Sequence, residues 1–81
     1  MSVPKRLVVI DGFYARDGIR GRTHIRKVTS IYGDSKQTWV KFLTYNLVGK
    51  KNPQPGETTM ASFLVWADRV ATGPEDVRHI H

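Results

Sequence analysis

The run Gln37-Thr38-Trp39-Val40-Lys41-Phe42-Leu43-Thr44-Tyr45-Asn46 constrains the fold more than any other stretch of the chain. It is rich in β-branched and aromatic residues, and in a strand its side chains alternate between two sides. Val40 and Phe42 share one face, while Trp39, Leu43 and Tyr45 share the other. Both faces are partly apolar, so this strand needs cover on each side, as in a barrel or in a sheet with a helix across it.

The chain has little material to supply that cover. At 81 residues it reads as one domain, 1–81, of a size that buries only about 60% of the surface its unfolded form exposes. Cysteine is absent, so no disulfide or thiolate metal site supplements the core, and the cytoplasm is a compatible compartment. An apolar content of 40% with 10% aromatics excludes a fully disordered chain. The apolar run Leu7-Val8-Val9-Ile10 is too short for a signal-peptide core or a membrane span. Residues 75–81 read as a terminal tail, the kind of segment that is often mobile.

Other elements follow from periodicity and punctuation. Leu7 to Ile10, closed by Asp11-Gly12, has the pattern of a buried strand, and Phe13-Tyr14 begins another. Arg16-Asp17-Gly18-Ile19-Arg20-Gly21-Arg22 is turn-rich, which sets its cations on a loop. From Thr23 to Tyr32 the β-branched content predicts a strand, with Arg22, His24 and Arg26 on one side of it. Gly33-Asp34-Ser35-Lys36 makes a hairpin connection, Gly49 to Gly56 an exposed loop, and Glu57 to Met60 a further short strand. Phe63, Trp66, Ala67 and Val70 then stand at helical spacing, with Ser62 placed to cap and Gly73-Pro74 to stop. This predicts a helix over 62–72.

These elements predict an α+β fold: a small, strongly bent antiparallel β-sheet or SH3-like barrel of four to five strands with one C-terminal helix. From Gly12-Phe13-Tyr14 through Thr38-Trp39-Val40-Lys41-Phe42 to Phe63, the spacing resembles small SH3-like barrels. The resemblance spans residues 12–63 and implies a fold without a function.

Charge is distributed unevenly. Residues 1–51 hold eleven Lys or Arg against three Asp, while residues 52–81 hold two Arg against four acids. Arg16, Arg20, Arg22, Arg26 and Lys27 fall within twelve residues, with His24 among them. Guanidiniums grip phosphate oxygens in pairs and glycines let a backbone approach, so Arg16, Arg20, Arg22, His24, Arg26 and Lys27 form a candidate nucleic-acid surface, extended by Lys50 and Lys51. The plainer reading is a solvated face. Tyr14, Trp39 and Tyr45 are candidates for stacking on bases or, more simply, for the core.

Other chemistry finds little support. His24, His79 and His81 lack the accompanying ligands of a metal site. Asp11, Asp17 and Asp34 each stand beside a glycine, as in turns, and Glu57 and Asp68 have no evident partner in the sequence. Gly18-Ile19-Arg20-Gly21 lacks the spacing of a phosphate loop. The chain therefore reads as a non-enzymatic module without a cofactor, binding nucleic acid or docking on an acidic protein through a basic face and Trp39. Its strand edges also suit a homodimer.

Overall fold

The structure is a computed structural model that describes residues 3–19, 22–45, 49 and 51–76. It is an α+β arrangement of five antiparallel strands and one short helix: β1 (Phe13–Ile19), β2 (Arg22–Gly33), β3 (Thr38–Tyr45), β4 (Gln54–Thr59), α1 (Met60–Trp66) and β5 (Arg69–Ala71). The sheet order is β4-β3-β2-β1-β5. Four strands form a meander, and α1 carries the chain back across one face so that β5 joins the free edge of β1. The sheet is open and does not close into a barrel. β5 has three residues, about 10 Å of strand, and it pairs with β1 at one edge while β4 forms the other.

The alternation expected for β3 is present. Val40, Phe42 and Thr44 are buried on the helix side, and Trp39, Lys41, Leu43 and Tyr45 lie on the opposite side. In β2 the pairing runs Val28↔Phe42 and then Ser30↔Lys41, leaving Thr29 as an extra residue. This bulge changes which residues face the core: Arg26 and Val28 lie on the helix side before it, and Ile31 after it. The hairpin that follows is tied by Asp34, whose Oδ1 accepts from Lys36 N at 2.8 Å and Gln37 N at 3.0 Å. Those amides hold the Asp34 carboxyl below its ordinary pKa. A Cβ on Gly33 would lie 2.1 Å from the Gln37 carbonyl oxygen, so the hairpin needs a glycine there.

The main core lies between the sheet and α1. It joins Val3, Val8, Tyr14, Val28, Val40, Phe42, Met60, Phe63 and Ala67. Phe63 is at its centre, edge-on to Tyr14 at 5.5 Å and tilted against Phe42 at 6.0 Å. A smaller cluster of Ala15, Ile25 and Ala71, flanked by Phe13 and Tyr45, occupies the other face.

Several elements differ from the sequence expectations, each for a local reason. Leu7 to Ile10 is not a strand; Lys5–Leu7 form one 3₁₀ turn and only Val8 of the apolar run is buried. The Tyr14 hydroxyl donates to Leu7 O at 2.6 Å and accepts from Val9 N at 2.8 Å, which satisfies backbone groups that a neighbouring strand would otherwise pair. Arg16 to Ile19 and Arg22 are strand rather than loop, because β1 and β2 pair from Phe13↔Lys27 to Ile19↔Arg22. Gln54, Pro55 and Gly56, expected in the exposed loop, already belong to β4 along its edge.

The helix is shorter and earlier than 62–72. Thr59, not Ser62, is its cap: the Thr59 side chain accepts from Ser62 N at 3.1 Å. The helix ends at Trp66, after which Ala67 N still bonds Phe63 O and Asp68 N turns to Ala15 O. Continuing it would leave the β1 edge unpaired. Residues 69–71 instead pair with β1, leaving Val70 50% exposed rather than on an apolar helix face.

Candidate nucleic-acid interface

The β1–β2 register gathers most of the expected cations. Arg16 pairs with His24 and Tyr14 with Arg26, so Arg16, Arg22, His24 and Arg26 share the helix side of the sheet, Arg16 and Arg22 exposed and Arg26 against Trp66 at the end of α1. Lys27 alternates to the other side, where its ammonium lies 3.8 Å from Asp11 Oδ1 and 5.9 Å from the Phe13 ring centroid. Lys51 is exposed in the β3–β4 connection, which leaves the sheet at the end where Tyr45 pairs with Ile25, and Arg20 and Lys50 lie outside the described residues. The twelve-residue cluster is thus divided between two faces by strand alternation, a split that its spacing already implied once the loop became strand.

Arg26 has an unusual setting. Its guanidinium carbon lies 4.2 Å from the centroid of Phe42 and 4.1 Å from that of Trp66, so an aromatic ring covers each contact. Such contacts are worth roughly 0.5–2 kcal/mol each, depending on how far they are removed from water. Its Nε is buried and has no hydrogen-bond partner among the described residues. Burial, and then the charge of Arg16, pull its pKa down to about 10, which leaves it cationic at neutral pH. With rings on the guanidinium, an anion can meet it only along its edge. Sequence reasoning missed this stack because Phe42 and Trp66 lie on elements distant in the chain from Arg26.

His24 is half-buried beside these cations. Burial, then Arg22 and Arg26, lower its pKa below the ordinary imidazole value. The neighbouring carboxylates are engaged elsewhere or stand at the margin. Asp17 is on the opposite face, where it accepts from Arg69 and from Thr23 Oγ1 at 2.6 Å. Asp68 follows the last Ala15↔Arg69 pair, bordering the Arg16 end of the surface, and is exposed.

The aromatic candidates separate as well. Tyr14 is core, and Tyr45 packs against Phe13 on the face away from α1. Trp39 is 36% exposed on that same far face, next to Tyr32 at 44%. Glu57, without an evident partner in the sequence, accepts from the Tyr32 hydroxyl there, and this bond raises the Tyr32 pKa. Lys41 Nζ lies 5.5 Å from the Tyr32 centroid. The arginines of the candidate surface and the exposed aromatics therefore occupy opposite sides of one sheet, with Lys27 and Lys41 on the aromatic side.

Among the described residues no three His, Asp or Glu side chains gather where a metal ion would be held; His79 and His81 lie outside them. No helix among them is long and apolar enough to cross a membrane. Comparison of the chain with protein-family models, with curated proteins and with solved structures finds no match.

Proposed function

We propose that this protein is a small basic module that binds nucleic acid mainly through phosphates and performs no chemistry. The observation that carries the reading is the register of β1 and β2, which sets Arg16, Arg22, His24 and Arg26 on one face without a carboxylate among them. Guanidiniums spaced along adjacent strands suit successive phosphates of a backbone, and contacts of this kind give affinity without sequence information. Arg20, Lys27, Lys50 and Lys51 add to the positive charge of the chain. The strand order, with a short helix between β4 and β5 and a long bulged β2, supports reading the sheet as a strongly bent, opened relative of small SH3-like barrels. A cytoplasmic location fits this role.

A fluorescence-anisotropy titration with a labelled 20-base-pair duplex tests the reading. With about three guanidiniums engaged, log K falls with log salt at a slope of about −3. Absence of binding at 50 mM salt, or binding without a salt slope, overturns it.

The second reading is a protein-interaction module, favoured by the exposure of Trp39 and Tyr32. Because these rings face away from the arginines, one flat acidic partner does not reach both. A docking protein would use the Trp39 face, and a second copy of this chain could do the same.

A further inference from the structure

His24 stands where a proton and a phosphate would act on one another. Arg16 faces it across the β1–β2 pair, and Arg22 and Arg26 lie two residues to either side on the same face of β2. From β3, Thr44 pairs with Arg26 and Tyr45 with Ile25, so that strand brings no charge to the imidazole. From α1 the neighbouring group is Trp66, which stacks on Arg26. From β5, Arg69 is turned to the opposite face with Asp17 and Asp76. Asp68, at the Arg16 margin, forms no ion pair within 4 Å among the described residues.

We propose that phosphate binding at this surface is coupled to protonation of His24, so that affinity for a nucleic-acid backbone rises as pH falls. The proposal rests on the reading of the Arg16, Arg22 and Arg26 surface as a phosphate site. In the free protein burial, and then the charges of Arg22 and Arg26, oppose an imidazolium and lower the His24 pKa. The histidine is therefore neutral at pH 7, and three fixed guanidiniums supply the positive field. A phosphate oxygen entering among them reverses the local potential. His24 then takes a proton from solvent and becomes a fourth cationic donor, charge-assisted toward the phosphate. Arg26 cannot withdraw to relieve the crowding because the rings hold it.

Linkage gives the sign. The His24 pKa is higher in the complex than in the free protein, so each complex takes up protons over the interval between the two values, and the dissociation constant falls as pH falls through it. The test is an anisotropy titration with a labelled 20-base-pair duplex from pH 5.5 to 8 at constant ionic strength. It compares the wild-type chain, His24→Gln, and a control carrying His79→Gln and His81→Gln.

A shift of one pKa unit gives about tenfold tighter binding at the acid end for wild type and the control, and a flat profile for His24→Gln. Calorimetry in buffers of different ionisation enthalpy should record proton uptake only where His24 is present. A wild-type profile matching that of His24→Gln, or binding without proton uptake, overturns the coupling and leaves the phosphate surface standing. No duplex binding at any pH overturns both.

Discussion

Arg69 grips Asp17 with two hydrogen bonds across 52 residues of sequence, Nε to Oδ2 at 2.8 Å and Nη2 to Oδ1 at 3.1 Å. Two further donors reach Asp76, Nη1 to Oδ2 and Nη2 to the backbone O, both at 2.8 Å, and Asp76 Oδ2 also accepts from Thr72 N. One guanidinium thus fastens the three-residue strand β5 and the turn after it to β1. The bonds to Asp17, and then to Asp76, raise the Arg69 pKa, so it remains charged at every pH at which the protein is handled.

Removing that guanidinium takes four hydrogen bonds from two largely covered acidic residues. Arg69→Ala is expected to destabilise the fold by roughly 2–3 kcal/mol, below the full cost of breaking a buried pair because these groups retain some exposure. Arg69→Lys should recover only part, since an ammonium cannot hold Asp17 through two donors. Urea denaturation monitored by circular dichroism measures both.

Gly56 lies beneath Phe42. A Cβ at this position would approach Phe42 Cε1 to 2.6 Å, and the two residues are register partners in β4 and β3. Gly56→Ala should push the ring off its site, disturb the Arg26 stack and cost about 1–3 kcal/mol. Loss of the ring-current shift on the Arg26 side-chain protons, seen by NMR, would accompany the lower denaturation midpoint.

Arg26→Met separates folding from binding. Methionine fills the space between Phe42 and Trp66 without a buried Nε, so its stability is expected to stay within about 1 kcal/mol of wild type. Duplex affinity should fall by about tenfold, the scale of one charge-assisted contact. A variant that binds as tightly as wild type would remove Arg26 from the surface.

Stability should also depend on pH through His24. Its folded pKa is depressed, so the unfolded chain binds more protons near the ordinary imidazole value. The stability contribution is present above about pH 6.5 and is lost as pH falls toward the folded pKa. Between pH 7 and 5 the wild type should lose more thermal stability than His24→Gln, and 50 mM inorganic phosphate should narrow the difference. Equal losses in the two proteins would mean that His24 gains its proton without opposition.

The two faces give opposite mutational responses. Arg22→Glu is expected to abolish duplex binding, whereas Trp39→Ala should leave the affinity within about twofold, since Trp39 lies across the sheet from the arginines. Asp68→Ala, by removing the negative charge at the margin, should strengthen it. Strong loss on Trp39→Ala would instead favour the protein-docking reading.

How far the chain was legible depends on the range of the interactions involved. The faces of β3 followed from alternation between neighbouring residues, and so did the shared side of Arg22, His24 and Arg26. Asp34 behaves as a turn residue because its carboxylate bonds amides two and three residues away. Asp17 looked identical in sequence, beside a glycine, yet its partners are Thr23 and the distant Arg69. The helical spacing of Phe63, Trp66, Ala67 and Val70 was real as far as Ala67, then failed where the β1 edge offered residues 69–71 an alternative set of backbone bonds.

By itself, then, the sequence determined a β-rich chain with one helix, the two-sided character of β3 and the concentration of cations between Arg16 and Lys27, because each is a property of near neighbours or of composition. Only the tertiary structure decided that the sheet is open, that Tyr14 holds down the N-terminal segment, that the helix stops at Trp66, and that Arg26 lies between Phe42 and Trp66 while Trp39 faces away. In each of these a local preference competes with a partner brought close by folding, and that partner's burial or hydrogen bond settles the outcome.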